Sequence, residues 1–129
     1  AYRFEVLRDR AAAATAPPVV HLVTLGPAAA AATHAQFVTG LFAAGGIRTV
    51  AVADGEPVPA RAVVCLCSGD PVHLQGASAA ALRLRRSGAV RVWLAGRPSL
   101  HPGVDGYLYA GCDIVRVLGT TLDDLEAAR

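Results

Sequence analysis

The sequence predicts an α/β fold in which helices wrap a five-stranded parallel sheet. Three observations carry the prediction. Five short runs, at residues 19–25, 47–53, 62–67, 89–94 and 113–118, are rich in β-branched and apolar residues and alternate with segments of helical spacing. The first and third runs are almost unbroken in apolarity, as strands covered on both faces are. Gly and Pro punctuate most boundaries, at Pro17-Pro18, Gly26-Pro27, Gly45-Gly46, Gly69-Asp70-Pro71 and Gly88.

Taken in order, residues 2–14 place Phe4, Leu7 and Ala11 at helical steps, and Ala16-Pro17-Pro18 ends that element. Residues 1–18 therefore read as a lead-in helix and stiff linker before the α/β domain proper, 19–129. The run Val19 to Leu25 is the first strand. A helix follows, opening on five alanines and stacking Ala30, His34, Phe37, Val38 and Leu41, until Gly45-Gly46 stops it. The second strand, IRTVAVA, leads into DGEPVPARA, whose two prolines in nine residues leave no room for an ordinary helix. The third strand is thus reached by a connection shorter than a parallel crossover usually needs. Asp70 and Pro71 form a helix start, as cap and first helical residue, for a helix reaching Ser87-Gly88. A fourth strand, AVRVWL, and a Gly/Pro-rich loop come next. Residues 107–112 are expected as a short helix, 113–118 as the fifth strand, and a final helix from Thr120 or Thr121, with Thr121 and Asp124 as a loose capping box. This alternation predicts a flavodoxin-like sheet of order 2-1-3-4-5 with a shortened or missing helix between strands two and three.

Composition narrows the function. Hydrophobic residues are 53% and charged residues 17%, a chain that folds. The formal charge is +2, from 12 basic residues, all Arg, against 10 acidic, which gives no footprint for nucleic acid. Arg3, Arg8, Arg10, Arg83, Arg85 and Arg86 are expected on exposed helix faces. No apolar run is long enough for a membrane helix, and the start lacks the order of a secretion signal. The chain begins without Met inside a helical segment, which is expected of a part of something longer. Cys65, Cys67 and Cys112 are an odd count, and the first two share one face of a strand, so buried reduced thiols and a cytoplasmic location are expected.

The loops on the carboxyl side of the sheet carry little chemistry. Asp54 and Asp70 do not build an acidic magnesium pocket, and a chain without lysine has no Walker-type phosphate loop. His21 and His34 are expected to pack, His73 opens a helix, and His101 sits in a mobile loop; no pair has the i, i+4 spacing of a helical metal site. Cys67-Ser68 at a strand end has no positioned base beside it in the sequence. No catalytic residue and no metal ligand follow from this pattern.

The runs LGPAAAAATHAQFVTGLFAAGGI, VVCLCSGD, SGAVRVWLAGRP and GVDGYLYAGCDIVRVLGTTLDDL, with the lead-in FEVLRD, resemble the C-terminal domain of the small (β) subunit of heterodimeric methylmalonyl-CoA mutases. The resemblance covers nearly the whole chain. It implies a cobalamin-binding-like domain attached to a barrel domain of its own subunit and partnered by a large subunit, which holds adenosylcobalamin and isomerises methylmalonyl-CoA and succinyl-CoA. The family's cobalamin motif is Asp-x-His-x-x-Gly after strand one, Ser-x-Leu after strand three and Gly-Gly after strand four. Counted from Gly26, its aspartate place falls at Ala28, its histidine place at Ala30 and its glycine place at Thr33. The Ser-x-Leu place falls near Cys67-Ser68-Gly69 and the Gly-Gly place at Ala95-Gly96. The resemblance thus implies a degenerate site at Gly26, Ala28, Ala30, Thr33, Ser68 and Gly96, with no cofactor bound by this domain. Two rival readings are a true cobalamin or other small-ligand domain without a protein histidine on cobalt, and a thiol module built on the three cysteines.

Overall fold

A computed structural model describes residues 2–128. Its elements are α1 (Tyr2–Ala12), β1 (Val19–Leu25), α2 (Ala28–Ala44), β2 (Arg48–Ala53), β3 (Val63–Ser68), α3 (Pro71–Leu74), α4 (Ala77–Arg86), β4 (Arg91–Ala95), β5 (Gly106–Leu108) and α5 (Ile114–Ala127). The five strands form one sheet, ordered β2-β1-β3-β4-β5, and every pairing is parallel. This is the flavodoxin-like order expected.

Alternation along the strands splits the core into two layers. On one side Val20, Leu22, Val63, Cys65, Cys67 and Trp93 pack against Val38 and Phe42 of α2 and Leu118 and Leu122 of α5. On the other, Val23, Val64, Leu66, Val92 and Leu94 meet Ala77, Ala80, Ala81 and Leu84 of α4. All six residues of β3 are buried, which is why its sequence shows no polar alternation. The segment 54–62 carries no helix, and only Val58 and Ala62 of it turn into the core. The α4 side of the sheet is therefore thinly covered near β2, where Val50 is 42% exposed.

α1 packs on the α2 and α5 side of the sheet. Leu7 and Ala11 are buried in the layer shared with α2 and α5. Arg10 reaches across to α5, donating to Glu126 at 2.6 and 2.8 Å and also pairing with Asp123. Arg10 is thus engaged and only partly exposed, and Arg83 and Arg85 are likewise paired, with Asp54 and Asp105.

Three expectations need correction. Residues 113–118 are no strand: Asp113 caps α5 by accepting the Arg116 N–H at 3.1 Å, and Ile114, Val117, Leu118, Thr121, Leu122 and Leu125 form a stripe at helical steps. The β-branched run IVRVL imitates a strand over five residues, and only the longer window reveals the helical period. Thr121 is accordingly no cap but a buried mid-helix residue, accepting from the Trp93 indole at 3.2 Å and donating to the Val117 carbonyl. The fifth strand is Gly106–Leu108, overlapping the segment expected as a helix over 107–112. It starts on glycine because a Cβ there would lie 2.6 Å from the Trp93 ring. Finally, the helix expected from Asp70 to Ser87 is two, α3 and α4, parted at Gln75-Gly76. Gly76 serves as the N-cap position of α4, and its own N–H closes a turn on the His73 carbonyl. Other boundaries shift by a residue or two, as β4 does by starting at Arg91.

Candidate functional site

In a sheet of this order the ligand crevice lies beyond the carboxyl ends of the central strands, where β1 and β3 send their chains to opposite sides. Three turns meet there: Gly26-Pro27 after β1, Ser68-Gly69-Asp70 after β3 and Gly96-Arg97 after β4.

The first two turns are in direct contact. Pro27 precedes α2 with an extended backbone and no side-chain cap, so the helix begins at once with Ala28. Alanine has the highest helix propensity and no polar atom to satisfy, and the helix runs through the place of a binding loop. Its first turn lies on Gly69. A Cβ at Gly69 would stand 2.8 Å from the Ala31 nitrogen and closer still to the Ala30 carbonyl, so only glycine permits the approach. Ala31 is buried there, while Ala28, Ala30 and Thr33 face outward.

A second contact comes from His73. Its ring lies over Gly26, where a Cβ would be 2.7 Å from both Nδ1 and Cδ2. Asp70 sets the ring: its carboxylate oxygens are each 2.8 Å from His73 Nδ1, and the same side chain caps α3 by accepting the His73 N–H at 2.8 Å. These bonds hold the Asp70 carboxyl below its ordinary range. The i, i+3 spacing of Asp70 and His73 is visible in SGDPVH, but without Gly26 there was no sign of what the ring would cover. Ser68 is buried, and its hydroxyl donates to the Asp70 carbonyl at 3.1 Å, so it is engaged with backbone beside the Asp70–His73 pair.

What remains of the crevice is shallow. A depression of about 230 Å³ runs between His34, Ser68, Asp70 and Arg97, and one of about 240 Å³ continues past His34 and Arg97 to Phe37 and Tyr109. Gly96 borders both. The buried Nδ1 atoms of His34 and His21 make no hydrogen bond among the described residues. His21 lies in β1 on the α4 side, and burial pulls its pKa down. In the loop after β4, the His101 N–H and Nδ1 lie 3.1 and 3.0 Å from the Tyr107 hydroxyl.

The cysteines lie elsewhere. Cys65 and Cys67 are buried on the α2 side, and burial pushes the Cys65 thiol well above its ordinary value; Cys112 is half-buried. No three His, Cys, Asp or Glu side chains are grouped to hold a metal among the described residues. Nor is any described helix long and apolar enough to cross a membrane.

A cobalamin held through the motif's histidine would need an imidazole at position 30 and an open cleft for its nucleotide tail. Ala28, Ala30 and Thr33 supply no imidazole, and the Ala30 carbonyl lies against Gly69 and the His73 ring against Gly26, so these positions do not fit that mode of binding.

No protein-family model matches the chain. It is 39% identical, over 138 aligned positions, to the methylmalonyl-CoA mutase small subunit of Streptomyces virginiae. The match takes in 97% of this chain and 22% of that protein, so the chain spans about a fifth of its relative's length. The resemblance read from the sequence thus rests on a curated relative of that name.

Proposed function

We propose, from the premise that the chain is related over nearly its whole length to a methylmalonyl-CoA mutase small subunit, that it is a non-catalytic structural module of such a subunit. It packs against the barrel domain of its own subunit and supports a heterodimer in the cytoplasm. In that assembly the large subunit carries adenosylcobalamin and performs the isomerisation of methylmalonyl-CoA and succinyl-CoA. This domain contributes no catalytic group and no cofactor ligand.

The observation that supports this reading best is the seating of the first turn of α2 on Gly69, with the Ala30 carbonyl in the cleft where a ligand tail would enter. Fold alone does not decide between binding and scaffolding, so the argument is made at the site.

Titration of the chain with adenosylcobalamin and hydroxocobalamin tests it, read by absorbance and calorimetry. At about 100 μM, well above the dissociation constant of a useful cofactor site, neither a spectral change nor heat is expected. The double substitution Ala28→Asp with Ala30→His is expected to restore nothing, because the closed turn remains. Saturable one-to-one binding by the unaltered chain overturns the reading and favours a ligand-binding domain.

A further inference from the structure

We propose that the free edge of β2 pairs antiparallel with β2 of a second copy of this chain, about a two-fold axis at Ala51, joining two five-stranded sheets into one. The inference rests on the edge itself and stands whatever the ancestry of the domain.

β2 is the end strand of the sheet, bonded to β1 on one side only. Arg48 donates its N–H inward, to the Pro18 carbonyl at 3.0 Å. Backbone direction alternates along a strand, so Arg48, Val50 and Val52 address β1, and Thr49, Ala51 and Ala53 address the open edge. A single antiparallel register suits those outward groups best. With Ala51 opposite Ala51, the two residues exchange both hydrogen bonds, and Thr49 falls opposite Ala53 on either side.

The same register aligns the side chains. Val50 falls opposite Val52 on the thinly covered α4 side, where Val50 is 42% exposed and Val52 half-buried. Arg48 falls opposite Asp54, just past the strand end. Asp54 lies on that side, since it binds Arg83 of α4 at 2.6 Å. Arg48 is exposed and makes no ion pair among the described residues. The two-fold axis brings each Arg48 beside an Asp54 that also holds Arg83 of its own chain, so each carboxylate is shared between two guanidinium groups and the arrangement occurs twice.

Nothing within β2 guards against such pairing. Edge strands usually avoid it with proline, a bulge or a central charge. Residues 49–53 are Thr-Val-Ala-Val-Ala, and the alanines at 51 and 53 leave the edge open to a neighbour. A register shifted by one residue loses the outward exchange at 51, and one shifted by two turns Arg48 away from Asp54.

Sedimentation equilibrium of the 129-residue chain, from about 5 to about 500 μM, brackets a small interface. The mass is expected to rise from 13.2 kDa toward twice that value. Ala51→Pro removes an outward N–H that the monomer does not use and is expected to abolish dimerisation while leaving the circular dichroism unchanged. Arg48→Glu and Asp54→Arg each place like charges opposite one another twice, weakening self-association by about 10-fold or more. An equimolar mixture of those two variants restores both attractive pairs and is expected to dimerise again. A chain that stays monomeric throughout overturns the proposal. So does a dimer indifferent to Ala51→Pro, or a mixture of charge variants that fails to recover.

Discussion

The contact between Gly69 and the start of α2 makes Gly69→Ala a severe substitution for a single methyl group. The added Cβ would sit 2.8 Å from the Ala31 nitrogen and nearer the Ala30 carbonyl, and both are backbone atoms of a helix. No rotamer change relieves this. The helix start must retreat by about 2 Å to bring the Ala30 carbonyl to ordinary contact, and overpacking of that kind costs about 1–3 kcal/mol or more. Ala31, only 1% exposed, loses part of its burial in the same movement, adding about 0.5–1 kcal/mol. A total near 3 kcal/mol lowers the melting temperature of a domain this size by about 10 °C. Calorimetry of both proteins measures the shift, with Gly40→Ala as the control of opposite sign. Gly40 lies within α2 with nothing within 4 Å of its added Cβ, so alanine there is expected to stabilise by about 0.5–1 kcal/mol. A Gly69→Ala protein melting within about 2 °C of the unaltered chain would refute the reasoning, because the first turn of α2 would then not rest on that glycine.

Thiol chemistry and pH supply two further tests. A disulfide reagent is expected to titrate Cys112 alone in the folded protein, and Cys65 and Cys67 only after unfolding, because both lie in the core; three fast thiols would sink that assignment and revive a thiol module. His21 is held below its ordinary value of 6.5 by burial, so the unfolded chain binds its proton more readily than the folded one. Its contribution is therefore complete above pH 6.5 and is lost as the pH falls through that value toward the lower folded one. Urea midpoints between pH 8 and pH 5, in the unaltered chain and in His21→Phe, should show this part of the slope vanishing in the variant; equal slopes would mean that His21 does not titrate differently on folding.

Much of the architecture was legible because it follows from local pattern. Strands β1 and β3, covered on both faces, announce themselves as unbroken apolar runs, and Pro57 and Pro59 forbid a helix before β3 whatever the rest of the chain does. Asp70 and Pro71 mark a helix start through chemistry that acts within three residues. The C-terminal third departs from the expectation where two periods compete over a short window. IVRVL satisfies a strand, and only burial of Val117, Leu118, Thr121 and Leu122 along one stripe selects the helix.

Residue identity and local spacing suffice for the α/β alternation, the missing crossover helix and the absence of an imidazole at position 30. Each is a property of residue identity or of spacing within one element. Tertiary structure alone decided that the Ala30 carbonyl rests on Gly69, that the His73 ring covers Gly26, and that Arg48 and Asp54 flank an open edge on one side of the sheet. Those contacts join residues far apart along the chain, and their geometry depends on how α2, α3 and α4 settle on the sheet. Close packing fixes such distances to tenths of an ångström, a precision that no pattern of residue types contains.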